Sequence, residues 1–114
     1  MATQSFKELL VWQKASDFST EVYKTFIACR DYGFRDQIQR AAISVPNNIA
    51  EGYTRRSDKF LRNFLSIAKG SAAEVESMLV IALKLGYVSR EKQEELDDKI
   101  QEIGRLLSGF IRKL

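Results

Sequence analysis

Apolar residues recur every three or four positions along four separate segments of the chain, and this spacing is the pattern of amphipathic helices. In chain order the four apolar stripes are Trp12, Ala15, Phe18, Val22, Phe26 and Cys29; Ile38, Ala41, Ala42, Val45 and Ile49; Phe60, Phe64, Ile67, Ser71, Val75, Met78 and Ala82; and Leu96, Ile100, Ile103, Leu107, Phe110 and Leu114. Helices joined by short connections pack as antiparallel neighbours. The sequence therefore predicts an all-α fold, an up-down-up-down antiparallel four-helix bundle that forms one domain over residues 1–114.

Residues that favour helix ends separate the stripes. The predicted N-caps are Ser5, in a capping box with Glu8, then Ser57 or Asp58, and Ser89. The predicted C-terminal stops are Gly33, within Asp31-Tyr32-Gly33, then Gly52 and Gly86. These signals place the second helix at about residues 34–53 and the third at about residues 57–85.

Pro46 lies inside the second stripe. Proline lacks a backbone N–H and crowds the preceding helical turn, so it normally breaks or kinks a helix. The apolar spacing nevertheless keeps its phase from Val45 to Ile49. We therefore predict that the second helix is kinked at Pro46, or passes through a local 3₁₀ turn, and does not end there.

The 114 residues include no histidine and a single cysteine, Cys29. A Ser-His-Asp triad and a Cys-His dyad both need histidine, and one cysteine cannot build a thiolate zinc site. Glu74 and Glu76 could contribute only to an all-carboxylate metal site, whereas bundles that hold metals use Glu-x-x-His pairs. We therefore predict a protein that is not an enzyme and has no cofactor and no metal.

Glu51 and Glu74 lie near predicted core positions, where a desolvated carboxylate could act in acid–base chemistry. A buried carboxylate is more often paired, and Arg40 lies three helical turns before Glu51 on nearly the same face. We therefore favour a structural polar network that fixes the second helix against the third. Its predicted members are Arg40, Asn48, Glu51, Ser71 and Glu74.

The compartment can be inferred from three features. The segment from Met1 to Ser5 lacks the regions of a secretory signal, and the longest apolar run, from Met78 to Leu85, is too short to span a bilayer. A single cysteine cannot form an internal disulfide, which favours a reducing compartment. We predict a cytoplasmic protein with no membrane partner.

Basic residues form a stripe on the predicted third helix, in a chain of net charge +3. The stripe consists of Arg55, Lys59, Arg62 and Lys69, and Arg56 adds a charge in the preceding loop. Such a stripe could bind the phosphates of a nucleic acid. It could equally be an ordinary solvated helix face.

The end of the third helix is apolar on nearly every side, through Leu79, Val80, Ile81, Leu83 and Leu85. A helix that is apolar all round is buried all round, yet a lone bundle leaves one face in water. These residues are therefore predicted to contact another subunit. The alternative is that the two chain ends cover them.

Five segments of the chain resemble those of one known family: Leu10–Ala15, Gln37–Ala42, Ser44–Gly52, Ile67–Glu74 and Leu85–Tyr87. It is the "four helix bundle protein" family, which includes proteins encoded within intervening sequences of bacterial large-subunit ribosomal RNA genes. The resemblance covers essentially the whole chain, and the stretch around Pro46 is its most specific part.

The resemblance implies a homopentameric ring of bundles. It also implies kinship with the accessory variability proteins of diversity-generating retroelements, which are basic pentamers that bind nucleic acid and a reverse transcriptase. No catalytic residue follows from it. We expect a non-enzymatic homo-oligomer, a pentamer, that binds RNA or a ribonucleoprotein partner through its basic helix face. Its expected partners are itself and RNA or a nucleic-acid-processing protein. The alternative is a protein-interaction scaffold that does not bind nucleic acid.

Overall fold

The computed structural model describes residues 5–114, which form an elongated bundle of 50 × 21 × 19 Å. A 3₁₀ turn at Phe6–Glu8 precedes four helices: α1 (Leu10–Phe26), α2 (Tyr32–Thr54), α3 (Asp58–Leu85) and α4 (Arg90–Arg112). Helices α1 and α3 each pack against both α2 and α4. Residues 5–114 contain no strand. The predicted all-α four-helix bundle is confirmed, while the assignment of residues 1–114 to one domain stays a prediction.

The core follows the predicted stripes of α1, α2 and α4. Phe18, Ile49 and Leu107 are examples of side chains with almost no contact with solvent. At the ends of these stripes, Trp12 and Phe110 are only half-buried and pack against the edge of the core. The three- and four-residue spacing thus identified the inward faces of these three helices.

The predicted inward face of α3 is wrong in the first half of the helix. Phe60 is 46% exposed and Ile67 is 52% exposed, whereas Leu61 and Leu65 face the core. Two apolar rows run side by side on this helix, and α2 approaches it closely. The close approach is at Gly52, where a Cβ atom would lie 2.6 Å from the Cβ of Phe64.

Two of the predicted helix stops are also wrong. Gly33 lies inside α2, because the Asp31 side chain caps that helix by accepting a hydrogen bond from the Phe34 N–H at 3.2 Å. Gly52 is buried inside α2, which continues to Thr54. Both glycines are therefore helical, and tertiary packing decides where the helix ends.

The remaining end signals divide into confirmed and corrected ones. Gly86 ends α3 with a left-handed backbone (φ 76°), and Ser57 and Ser89 cap α3 and α4 as predicted. Ser5 caps the 3₁₀ turn by accepting from the Lys7 N–H, so α1 itself begins later, at Leu10. The predicted capping box at Ser5 therefore does not start α1.

Helix α2 runs through Pro46 without a break, and Pro46 is buried. Because proline has no N–H, the carbonyl of Ala42 loses its donor within the helix. The Ser19 hydroxyl of α1 lies 2.8 Å from that carbonyl and 2.8 Å from the carbonyl of Ala15, so its single proton is shared between them. A buried side chain of the neighbouring helix thus compensates for the proline; the kink stays a prediction.

An ion cluster connects α1 to α4. Lys92 and Lys99 each donate to the Glu21 carboxylate at 2.7 Å, and Lys99 also reaches Glu95 at 3.4 Å. Burial raises the pKa of Glu21, but the hydrogen bonds from Lys92 and Lys99 outweigh it and lower the pKa from 4.5 to about 2. The charged carboxylate therefore stabilises the folded state.

A second polar contact fixes the turn between α3 and α4 against the start of α2. The Tyr87 hydroxyl donates to Asp31 at 2.8 Å, which lowers the pKa of Asp31 and raises that of Tyr87. The Tyr87 ring also contacts Phe34 edge-on, with 5.3 Å between ring centroids. The same carboxylate thus caps α2 and holds this turn.

The Ser19→Ala variant tests the compensation for proline. It leaves the buried Ala42 carbonyl without a donor, which should lower the free energy of unfolding by about 2 kcal/mol. In a Pro46→Ala background the restored N–H can donate to that carbonyl, so the same change should then cost about 1 kcal/mol or less. Urea unfolding of the four proteins measures this coupling.

Thr20→Ala is the matched control, because the Thr20 hydroxyl bonds the Ser16 carbonyl at an exposed position. Its effect should stay within about 0.5 kcal/mol. An equal cost of Ser19→Ala with and without Pro46 would show that the hydroxyl does not act on the carbonyl that proline leaves free.

The Glu21→Gln variant should lower stability at neutral pH by about 1 kcal/mol, since the carboxylate is partly screened by solvent. A lowered pKa stabilises the fold above the ordinary value of 4.5 and loses this effect as the pH falls towards about 2. The difference in Tm between variant and wild type should therefore vanish across that window. Glu102→Gln, at an exposed pair with Lys14, should show a much smaller difference in Tm at neutral pH and little change in it as the pH falls.

Candidate nucleic-acid interface

The antiparallel order collects basic residues in one half of the bundle, formed by residues 5–18, 44–71 and 101–114. We call this half the basic end. Its ten cations are Lys7, Lys14, Arg55, Arg56, Lys59, Arg62, Lys69, Arg105, Arg112 and Lys113, against the five carboxylates of Glu8, Asp17, Glu51, Asp58 and Glu102. All other cations and the larger share of the carboxylates lie in the opposite half. The charge of the molecule is therefore polarised along its long axis.

Three of the five predicted nucleic-acid contacts lie exposed on α3. These are Lys59, Arg62 and Lys69. Within residues 5–114, neither lysine forms an ion pair. The Arg62 guanidinium donates to the backbone oxygen of Leu114, which holds that arginine beside the end of α4.

The other two predicted contacts lie apart from this group. Arg55 pairs with Glu51 at 3.4 Å, and its guanidinium carbon lies 5.7 and 5.3 Å from the ring centroids of Phe60 and Phe64. Arg56 occupies the following turn with a left-handed backbone (φ 59°). The single stripe predicted from the sequence is therefore divided, with Arg55 on the side of α3 that faces α2.

Two cations that the sequence analysis did not select join Lys69 from across the bundle. Arg105 and Arg112 of α4 line, with Lys69, a groove of about 440 Å³ between α3 and α4. A lysine or arginine late in a helix is explained by the helix dipole alone, so neither residue stood out as part of a site. Their seven-residue spacing, which puts both on one face of α4, was the available signal.

The predicted polar network is present in part, and its centre is a residue that was not predicted. The Ser44 hydroxyl of α2 lies 2.9 Å from the Ser71 hydroxyl of α3. The Asn48 side-chain amide donates to the Ser44 carbonyl at 2.7 Å. Glu74 accepts from the Gln37 amide at 3.1 Å. These bonds connect α2 to α3 along one seam.

Arg40 and Glu51 do not take part in these bonds. Eleven residues of helix separate them by about 16 Å, which is too far for an ion pair. Arg40 is exposed, and Glu51 is exposed and pairs with Arg55. Their assignment to a buried network is therefore wrong, because sharing a helical face does not bring two side chains within reach.

The predicted subunit contact also changes. Leu79 is fully buried in the core of its own chain, and Leu83 is half-buried. Val80, Ile81 and Leu85 are 44%, 43% and 52% exposed. Leu79 therefore cannot contact another subunit, while the three exposed residues remain candidates.

Two apolar surfaces are open on the chain. One is an apolar row along α3, which we define by the exposed residues Phe60, Ile67, Ile81 and Leu85. The other is an α1/α2 groove of about 460 Å³, whose lining includes Trp12, Tyr23, Ile43 and Pro46. Neither surface is purely apolar, because Glu74 lies between Ile67 and Ile81 on the same face of α3 and polar side chains also line the groove.

A model of the 23S rRNA-intervening sequence protein family matches residues 7–109. The chain belongs to this family. The resemblance inferred from its sequence segments is thereby confirmed, and no curated protein sequence matches the chain.

A solved relative of this family member has the same fold. It is a protein of unknown function from Bacteroides thetaiotaomicron VPI-5482, described as belonging to the S23 ribosomal protein family. It is 28% identical to this chain with a TM-score of 0.84, and the match covers 90% of this chain and 98% of the relative. The bundle is therefore shared over nearly the full length of both proteins.

The descriptions of the family and of the solved relative name no catalytic activity. Across residues 5–114, no group of three His, Cys, Asp or Glu side chains is placed to hold a metal ion. In the same part of the chain, no helix has the length and apolarity needed to cross a bilayer.

Proposed function

We propose that this protein of the 23S rRNA-intervening sequence family is a non-enzymatic, homo-oligomeric bundle that binds RNA through its basic end. The observation that carries the proposal is the excess of exposed cations at that end. Cations that neutralise phosphates supply affinity for any nucleic acid, because they release condensed counterions. We also propose that the protein is cytoplasmic, as its sequence predicts.

The proposed oligomer is a pentamer, the assembly that the resemblance implied. A closed ring needs two different surfaces on each subunit, since its interfaces are heterologous. The apolar row of α3 and the α1/α2 groove are two such surfaces. A ring would repeat the basic end around its axis and so raise the avidity for a long RNA.

A protein-interaction scaffold is the second candidate, and the α1/α2 groove favours it, because aromatic-lined grooves also accept partner helices. The two candidates differ in their response to nuclease. A partner protein that stays bound after nuclease treatment supports the scaffold, while capture that depends on intact RNA supports RNA binding.

The double variant Lys59→Glu with Arg62→Glu should weaken binding to a structured RNA about tenfold or more at low salt and flatten the dependence of log K on log salt. Reversing Lys84 and Arg90, which are exposed in the opposite half, changes the net charge equally and serves as control. Fluorescence anisotropy measures both. No binding by the wild type at low salt, or an equal loss in both variants, would contradict the proposal.

Ile67→Glu and Ile81→Glu should dissociate the oligomer, because each puts a charge into the apolar row. Light scattering should give the wild type about five times the chain mass of 13.1 kDa, and the variants a smaller mass. Ser66→Glu and Ser77→Glu add the same charge at exposed positions of α3 outside the row. A wild type that is monomeric at micromolar concentration would remove the oligomer from the proposal.

A further inference from the structure

The groove between α3 and α4 is open because both helices carry small residues there. Ala72 and Ala73 of α3 and Gly104 and Ser108 of α4 line it. A Cβ atom at Gly104 would meet no atom within 4 Å, so this glycine leaves the middle of the groove unfilled. The volume of about 440 Å³ lies within the range of pockets that bind ligands.

Cations from both helices surround this space. Lys69 lines it from α3, and Arg105 and Arg112 line it from α4, against the single carboxylate of Glu76. All three cations are exposed, and within residues 5–114 none forms an ion pair. Arg112 lies close to its helix, with its Nη2 atom 3.7 Å from where a Cβ of Gly109 would be. The groove is therefore positively charged and has unused hydrogen-bond donors.

The arrangement of these donors favours a ligand with several negative groups. Arg105 and Arg112 are seven residues apart, which separates their attachment points by about 10 Å along α4. One phosphate cannot reach both easily, whereas a chain of phosphates can. Ser108, which lies between Arg105 and Arg112 on α4 and also lines the groove, offers a hydroxyl that could bind a sugar hydroxyl.

The shape of the groove favours one strand over two. A duplex presents its phosphates on a convex surface that is too wide for a space of about 440 Å³, while a single strand is narrow enough to lie along it. The lining contains no aromatic ring on which bases could stack. Contacts would therefore be made to the backbone, without sequence preference.

We propose that the α3/α4 groove binds the phosphodiester backbone of single-stranded RNA. This inference rests on the proposed RNA-binding function and goes beyond it, because it assigns a strand type and adds Arg105 and Arg112 to the contacts. The ribose and phosphates lie in the groove, and the bases point away from the bundle.

The first test fills the groove without changing any charge. Gly104→Leu should weaken binding of a labelled oligouridylate about tenfold, because the new side chain occupies the strand's position. Gly70→Leu is the matched control: Gly70 is also helical, a Cβ there also meets nothing within 4 Å, and the residue is exposed outside the groove. Helix propensity favours both replacements, so both variants should fold. Anisotropy titrations at low salt compare them with the wild type.

The second test removes single charges. Arg105→Gln and Arg112→Gln should each reduce the slope of log K against log salt by the amount that corresponds to about one lost phosphate contact. Arg90→Gln, which lies outside the groove, should leave the slope unchanged. Glu76→Gln should strengthen binding, since it removes the carboxylate that opposes the phosphates.

The outcomes separate this inference from the function on which it rests. If reversing Lys59 and Arg62 weakens binding while Gly104→Leu and Gly70→Leu behave alike, RNA binds elsewhere on the basic end and the groove is not its site. A duplex that competes better than the single strand also overturns the inference and leaves the proposed function intact. A wild type that binds no RNA at low salt overturns both.

Discussion

The bundle depends on how helix α2 satisfies a carbonyl that its own proline leaves without a donor. The Ser19 hydroxyl of α1 lies 2.8 Å from that carbonyl and shares its proton between it and the carbonyl of Ala15. This contact lies inside the core, where an unpaired carbonyl would be costly. Gly52 follows Pro46 by six residues in α2. It lets α3 approach so closely that a side chain at position 52 would not fit. Pro46 and Gly52, two residues poorly suited to a helix interior, thus each lie at a contact of α2 with a neighbouring helix. Pro46 lies at a contact with α1, and Gly52 lies at a contact with α3.

The antiparallel order has a consequence for charge. Helices α2 and α4 end where α3 begins, so the basic residues that favour the C-terminus of α4 lie beside those early in α3. Arg112 therefore stabilises α4 by its interaction with the helix dipole, and it also lines the groove opposite Lys69. A residue placed for helix stability can in this way become part of a binding surface, and the sequence of α4 alone cannot distinguish the two roles.

The sequence predicted the inward faces of α1, α2 and α4 because each of these helices has one apolar row. It failed on α3 because Phe60 and Leu61 begin two competing rows, and the spacing alone does not decide between them. Gly33 and Gly52 were taken for helix stops because glycine ends helices locally, while their roles here are set by Asp31 and by Phe64. The α3/α4 groove could not be predicted from the sequence for a related reason. Lys69 and Arg105 belong to separate helices, and only the packing of the bundle brings them together.

Helix α3 presents a different chemistry on each of its exposed sides. The apolar row with Phe60 and Ile67 faces away from the cations that lie towards α4. If the ring closes through the apolar row, the neighbouring subunit covers that side and leaves the groove open to RNA. Arg55 then belongs with the interface, because it already stacks on Phe60 and Phe64 and pairs with Glu51. The five cations chosen from the sequence as one stripe would thus serve two purposes. Arg55 would stabilise the subunit interface, whereas Lys59, Arg62 and Lys69 would contact phosphate.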